Sequence, residues 1–260
     1  MTETSNLELG TWNLEPGTVI FCGMETQEAL SRPWGEYARM RPHEIAEIMS
    51  RHPIAYLPWG AIEWHSYHNP VGLDGFIAEA QCKALARRNG GLVFPVVFAG
   101  TDTIKPFKGF GYTLEHGAGT VDALCSEFLD QLAEEGFTTI VLITGHAGGG
   151  HTDALAAAAE RFRAARPDVG LILYASFEPI KDRHPMNHAA VGETSLQLFV
   201  DRETVDLALV PAGDPPTLDD DGVWGDDPRA ASIEKGEAIM TRFVDTVSPE
   251  IQKLQNRREE

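Results

Sequence analysis

The chain has 260 residues, of which 43% are hydrophobic, and its formal net charge is −18 at pH 7. This length and mixed composition indicate a globular protein of one domain, or at most two, and exclude a disordered or fibrous chain. The acidic balance disfavours nucleic acid and anionic membranes as partners, and three scattered cysteines argue against a disulfide framework.

The first 43 residues carry scattered Gly and Pro and precede the regular part of the pattern. They begin with an acidic, polar stretch that lacks the features of a secretory signal. No stretch approaches the roughly 18 apolar residues of a membrane span. We therefore predict a cytoplasmic protein with an N-terminal extension over 1–43, including a short strand at 17–21, and a single domain over 44–260.

Beyond the extension, apolar runs typical of buried strands alternate with segments of helical periodicity that end at glycine or proline. This alternation predicts an α/β fold, with a mostly parallel sheet covered by helices on both faces. An acidic segment at 211–231 with four prolines interrupts the pattern and is predicted to be a long surface loop or a disordered segment. The predicted strands are 54–60, 92–98, 138–144 and 170–176, and the predicted helices are 75–90, 120–136, 151–167, 192–201 and 232–254.

Polar side chains follow the first predicted strand of the domain, where ligands of parallel sheets usually bind. Glu63 and His65 are two residues apart, so in an extended chain both point to the same side, and Asp74 could close a site from the next helix. Imidazole and carboxylate ligands suit Zn²⁺ or Mn²⁺. The alternative is structural, with Glu63 and Asp74 capping backbone groups and His65 an ordinary loop residue.

Two later strands also run into polar loops. A glycine cluster around His146 could cradle a phosphate or bring this imidazole close to a metal, and we favour the metal because both nucleotide fingerprints fail. His151 is expected to be a capping or surface residue. After the last strand come His188 and Glu193, and the alternative role of Glu193 is to stabilise the first turn of a helix. Three crossovers thus deliver His and carboxylate groups to one edge of the sheet.

Three stretches together resemble the creatininase-like family of metal-dependent amidohydrolases. The segment 57–74 is similar to the family's Pro-x-Gly-x-x-Glu-Gln-His-Gly…Asp pattern, and the segment 141–151 is similar to a strand followed by Asn-Gly-His-Gly-Gly-Asn. The segment 188–195 is similar to His-Ala-Gly-x-x-Glu-Thr-Ser. The order of strands and helices also fits the family over about residues 44–205.

The resemblance implies a three-layer α/β/α sandwich and a homo-oligomer, often a hexamer. It also implies two divalent metal ions at the carboxyl edge of the sheet, Zn²⁺ and/or Mn²⁺, with Fe²⁺ as a further option. His188 would transfer protons, and Glu193 would take part in catalysis as a ligand. By position, the implied metal ligands are Glu63, His65, Asp74 (bridging), His146 and Glu193.

The sequence also departs from the family pattern. Trp64 replaces the usual Gln, and creatininase itself has a metal-binding Glu where this chain has Gly148. The second difference argues against creatininase activity and favours Glu193 as a ligand. A reshaped substrate pocket is therefore expected, and its candidate residues are Trp64, His68, His116 and Gly148.

The leading hypothesis is a dinuclear metal-dependent hydrolase that cleaves an amide C–N bond of a small cyclic polar substrate, with a metal-activated hydroxide as the nucleophile. One alternative is a hydrolase that opens a cyclic polyol ketone by C–C cleavage. Another, from a different class, is a non-catalytic protein that binds a metal or metabolite. The expected partners are a small-molecule substrate and further copies of the chain.

Overall fold

In this computed structural model residues 33–256 are described, so the strand predicted at 17–21 lies outside the described residues. Within them, the predicted helices and strands lie within a few residues of the observed ones. The strands are β1 (Trp34–Glu36), β2 (Ile54–Gly60), β3 (Gly91–Val93), β4 (Val97–Phe98), β5 (Thr139–Thr144) and β6 (Gly170–Ala175). The helices are α1 (Pro42–Met49), α2 (Leu73–Asn89), α3 (Ile104–Lys108), α4 (Ala118–Glu134), α5 (Gly149–Ala165), α6 (Val191–Val200), α7 (Leu218–Asp221) and α8 (Ile233–Asn256).

The six strands form one sheet in the order β1-β3-β2-β5-β6, and β4 pairs with β2. Every pairing between these strands is parallel. The longest register joins β2 to β5, from Ile54 opposite Thr139 to Trp59 opposite Thr144. Because of this register, the two central strands end side by side, and the residues that follow them emerge at one edge.

Helices cover both faces of the sheet because alternate residues of β2 point to opposite sides. Ile54 and Tyr56 pack in a core with α2, α6 and α8. Leu57 and Trp59 pack in a second core with α1, α4 and α5. The predicted α/β class and the three-layer α/β/α sandwich with a parallel sheet are therefore confirmed.

The structure differs from the sequence-based prediction at two segments. The single strand predicted at 92–98 is divided into β3 and β4, with Pro95 between them, because proline has no N–H to donate to a ladder. The helix predicted from Thr120 starts at Ala118, and its N-cap is Gly117.

The segment 211–231 is ordered: it contains α7 and a further helical turn at Pro228–Ala230. The alternative of a disordered segment was therefore wrong. β1 lies within the predicted extension over 1–43 and pairs with β3. The division between that extension and a domain over 44–260 stays a prediction.

Between residues 33 and 256, no helix is both long and apolar enough to cross a membrane.

Cys82 and Cys125 are buried and not disulfide-bonded, and burial raises the pKa of the Cys125 thiol to about 12.

Candidate metal centre

The centre forms where the first turn of α2 lies against the ends of β2 and β5. A Cβ atom on Gly145 would lie 2.0 Å from the carbonyl oxygen of Asp74, and a Cβ on Gly60 would lie 2.4 Å from the amide nitrogen of Gly75. Only residues without a side chain allow this approach. As a result, the buried Asp74 carboxylate lies between the loops that follow β2 and β5.

One group of ligand atoms, which we call the first donor set, comprises Glu63, Asp74 and His146. His146 Nδ1 lies 2.9 Å from Glu63 Oε2 and 3.5 Å from Asp74 Oδ2. All three residues are buried, and their ligand atoms lie within 4.8 Å of one another. Two carboxylates and one imidazole thus surround a single position.

The second donor set comprises His65, Asp74 and Glu193. His65 Nε2 lies 3.2 Å from Asp74 Oδ1 and 3.8 Å from Glu193 Oε2. These residues are also buried, and their ligand atoms also lie within 4.8 Å of one another. Asp74 belongs to both donor sets and presents a different oxygen to the histidine of each.

Backbone contacts orient both imidazoles. His65 Nδ1 lies 3.0 Å from the carbonyl oxygen of Glu63, and His146 Nε2 lies 3.0 Å from that of Thr101. A carbonyl can only accept, so each of these ring nitrogens carries the proton and donates it. His65 Nε2 and His146 Nδ1 therefore face the carboxylates and are the ring nitrogens left to ligate a metal, as in metal sites where a backbone carbonyl orients the ligating histidine.

The carboxylates are oriented in the same way. Glu63 Oε1 accepts a hydrogen bond from the N–H of Ile104 at 2.6 Å, and Glu193 Oε2 accepts one from the N–H of Ala189 at 2.7 Å. The atoms that point inward, Glu63 Oε2 and His65 Nε2, are buried and have no hydrogen-bond partner apart from their ion-pair contacts with His146 Nδ1 and Asp74 Oδ1. Unpartnered buried polar atoms are costly, so this chemistry fits a bound cation.

In the metal-free protein the charges of the centre shift the pKa values of its members. Burial lowers the pKa of His65, but the surrounding carboxylates, Asp74 first, outweigh it and raise this pKa to about 10. The pKa of His146 is raised well above its usual value because Glu63 and Asp74 outweigh burial in the same way. Burial raises the pKa of Glu193 to about 8. Without metal, protons therefore occupy this carboxylate-rich centre at neutral pH.

His188 lies next to both donor sets, and one of its ring nitrogens forms a third group with Glu63 and His65, whose ligand atoms lie within 4.8 Å of one another. Its ring centroid is 4.4 Å from that of His65, and its Nε2 lies 2.9 Å from the carbonyl oxygen of Trp64. Burial and the charge on His65 lower the pKa of His188 to about 4. Its backbone exchanges two hydrogen bonds with Trp224, of 2.8 and 2.9 Å. His188 is therefore a fixed, neutral imidazole at pH 7.

A cavity of about 260 Å³ opens beside the centre and reaches Glu63, Asp74, His146, His188 and Glu193. Both α7 and the residues that follow it contribute to its wall, so the ordered segment 211–231 shapes this cavity. The remaining wall includes Ile104, Gly148, Met186, Asn187, Leu218 and Trp224.

The four residues that the sequence assigned to the substrate pocket have different environments. Gly148 lines the cavity, whereas Trp64, His68 and His116 do not, and a role of these three in a substrate pocket stays a prediction. The Trp64 indole stacks on Phe110 instead and donates to the carbonyl oxygen of Asp221. The buried His68 ring lies within hydrogen-bond distance of the Ala189 carbonyl and the Thr194 hydroxyl, and His116 N–H donates to the Gly100 carbonyl.

Sequence reasoning missed some residues around the centre. Asn187 lines the cavity and its Oδ1 accepts from the N–H of Glu193 at 3.0 Å, which caps α6 in front of this ligand. Trp224 lines the cavity, although its segment was predicted to be a surface loop. The only signal for it in the sequence is a large aromatic residue within an acidic segment. His151 is buried, with Nε2 3.1 Å from Thr144 Oγ1, so its prediction as a capping or surface residue was wrong.

Comparison with known proteins agrees with this geometry. The Creatininase family, described as creatinine amidohydrolase, matches residues 38–251. Creatinine amidohydrolase of Pseudomonas putida is 26% identical over 249 residues, covering 84% of this chain and 93% of that protein. The mycofactocin precursor peptide peptidase of Mycolicibacterium smegmatis is 27% identical over 231 residues, covering 80% of this chain and 88% of that protein.

Solved structures show the same fold. A mutant creatininase is similar to this chain with a TM-score of 0.71 and 25% identity, covering 83% of this chain and 97% of that one. A structure described as creatininase with Mn has a TM-score of 0.69 at 24% identity and covers 85% of this chain and 98% of that one. Since the family match spans most of its length, this chain belongs to the creatininase family and is a metal-dependent amidohydrolase.

Proposed function

We propose that this enzyme is a dinuclear metal-dependent hydrolase that cleaves the amide C–N bond of a small cyclic polar substrate. The observation that carries the proposal is the pair of donor sets that share Asp74 and direct one ring nitrogen of each histidine inward. In this proposal the first donor set holds one ion and the second holds the other. Asp74 would contribute to both positions, since it belongs to both donor sets.

The ligand types support Zn²⁺ or Mn²⁺ at these positions. Each donor set combines one imidazole with two carboxylates, which is a mixture that suits borderline divalent ions, and Fe²⁺ is accommodated by the same ligands. When bound, such ions polarise a carbonyl oxygen and lower the pKa of water enough to activate it near neutral pH.

His188 supplies the proton transfer in this proposal. Its Nε2–H donates to the carbonyl oxygen of Trp64, so Nδ1 holds the free lone pair. Because its lowered pKa keeps the ring neutral at pH 7, His188 would first accept a proton at Nδ1 from the attacking water. It then returns that proton to the leaving nitrogen, as the cleavage of an amide requires.

The cavity supports a small substrate. Its volume of about 260 Å³ is just below the usual range of about 300–1,000 Å³ for ligand pockets, and Trp224 gives it an aromatic wall. The Pseudomonas putida relative is named for creatinine, a cyclic amide, whereas the Mycolicibacterium smegmatis relative is named for a peptide. The small cavity favours the cyclic substrate class over the peptide class.

A substrate screen tests the proposed function. Protein reloaded with Zn²⁺ or Mn²⁺ after chelation is incubated with cyclic amides, formamides, short peptides and cyclic keto-polyols, and products are detected by mass spectrometry. We expect turnover of a cyclic amide by the metal-loaded protein and none by the chelated protein. If only a keto-polyol is cleaved, the proposed reaction is C–C cleavage and not amide cleavage. Metal uptake without any hydrolysis would favour a binding protein.

Metal binding is expected to strengthen as the pH rises. In the metal-free protein, the pKa of Glu193 is raised from 4.5 to about 8 and that of His65 from 6.5 to about 10. The protonated centre therefore stabilises the metal-free fold at low pH, and this stability is lost as the pH rises through these two values. A metal ion must displace the protons, so its apparent affinity should increase at least about tenfold per pH unit between pH 6 and 8.

Titration with a competing chromophoric chelator measures this affinity, and thermal unfolding with and without metal gives an independent reading. The increase in midpoint temperature caused by metal should be larger at pH 8 than at pH 6. An affinity that is independent of pH would contradict displacement of protons from Glu193 and His65.

Homo-oligomerisation and a cytoplasmic location stay predictions. Light scattering of the purified full chain measures the mass of the assembly directly. A mass equal to six chains would support the hexamer that the family resemblance suggests.

A further inference from the structure

We infer that Glu115 is a positioning residue for the first donor set and acts through the loop 101–104. This inference rests on the proposed function, because it assigns a role toward a metal ion. Glu115 is outside the cavity and outside both donor sets, so it does not contact the ion or the substrate in this proposal.

The Glu115 carboxylate binds the loop through three hydrogen bonds. Its Oε1 accepts from the N–H of Asp102 at 2.7 Å. Its Oε2 accepts from the N–H of Thr103 at 3.0 Å and also from the Thr103 hydroxyl. Both carboxylate oxygens are therefore used on two consecutive residues, which fixes the direction of this backbone.

The residues on either side of Asp102 and Thr103 orient two members of the first donor set. The carbonyl oxygen of Thr101 accepts from His146 Nε2–H at 3.0 Å and so sets the tautomer of that ring. The N–H of Ile104 donates to Glu63 Oε1 at 2.6 Å and leaves Oε2 facing inward. A shift of the loop would therefore move an imidazole and a carboxylate together.

The backbone of the loop 101–104 has an unfavourable conformation at Asp102. Asp102 has φ of 56°, in the left-handed region that residues with a side chain seldom adopt. Its carboxylate also accepts from the N–H of Gly150 at 2.7 Å, at the start of α5. Glu115 therefore stabilises a strained turn that is attached to the helix following His146.

The second donor set does not depend on this loop. His65 Nδ1 donates to the carbonyl oxygen of Glu63, and Glu193 accepts from the N–H of Ala189. Neither of these contacts involves residues 101–104. Loss of the Glu115 carboxylate should therefore affect the two metal ions unequally.

The variant Glu115→Gln tests the inference. The amide has one acceptor oxygen in place of two, and its NH₂ group would face backbone donors. Because removal of an orienting partner typically weakens metal binding about 10–100-fold, we expect such a loss for one ion and less than about a twofold change for the other. Affinities are measured by chelator competition on the full chain, without any activity assay.

Two reference backgrounds identify the affected position. In His65→Ala, which disrupts the second donor set, the added Glu115→Gln should still weaken metal binding about 10–100-fold. In His146→Ala, which disrupts the first donor set, adding Glu115→Gln should have no further effect. The exposed Glu135, at the end of α4, provides the control substitution Glu135→Gln, which should leave both affinities unchanged.

A second variant, Thr103→Val, keeps the shape of the side chain and removes the hydroxyl contact with Glu115, together with the hydroxyl's cap on the N–H of Lys105 at the start of α3. It should weaken the same ion in the same direction and by less. Equal losses of metal affinity in both backgrounds, or no loss in either, would overturn the inference. If wild-type protein still binds two ions in that case, the proposed function stands. Wild-type protein that takes up no metal would overturn both.

Discussion

Replacing Asp74 with Asn is expected to prevent tight binding of both metal ions and to lower turnover by about 10³-fold or more. Asp74 presents Oδ1 to His65 and Oδ2 to His146, so one substitution changes both donor sets. An amide cannot bridge two cations as a carboxylate does. Loss of about 4 kcal/mol of transition-state stabilisation corresponds to this factor.

Metal content measured by mass spectrometry of the reloaded protein, together with turnover of the best substrate found, checks this expectation. The exposed Asp153 on α5 provides the matched control, because Asp153→Asn makes the same chemical change away from the centre. Retention of two ions by Asp74→Asn would show that this residue does not bridge them.

Removal of His188 is expected to separate catalysis from metal binding. His188→Ala should lower turnover by about 10²–10⁴-fold, the usual contribution of a positioned acid–base group. Metal affinity should change by less than about threefold, because each donor set is complete without this ring. An activity assay and chelator competition on one preparation measure the turnover and the metal affinity.

His184 offers a control in the same loop, since it lines a neighbouring cavity and not the one beside the centre. His184→Ala should keep nearly full turnover, and added imidazole should restore part of the activity of His188→Ala alone. A large loss of metal in His188→Ala would instead identify this residue as a ligand. Unchanged turnover would remove it from the mechanism.

The fold was predictable because its strongest signals are local. The apolar run 54–60 became β2 with unchanged bounds, and every residue in it is buried. Periodicity also located α2 and α5 within a few residues. The division of 92–98 was less predictable, since pairing of its two halves depends on strands that are distant in the sequence.

The candidate site was partly predictable because several of its residues directly follow predicted strands. Glu63, His65 and His146 follow strands directly, so the carboxyl edge of a parallel sheet brings them together. The support from Asp102 and Glu115 could not be predicted, because nothing in their local sequence signals a positive φ or a bond to a loop 12 or 13 residues away. The position of Trp224 also depends on tertiary contacts.

The two donor sets differ in how much of the chain must exist before each can form. The first is complete once residue 146 has been synthesised, whereas the second waits for Glu193 on α6. α6 packs so closely on α8 that a Cβ on Gly236 would lie 2.0 Å from the carbonyl oxygen of Ser195. A ribosome adds residues in order, so all residues of the first donor set are synthesised before Glu193. The second donor set also requires α6, which packs against α8.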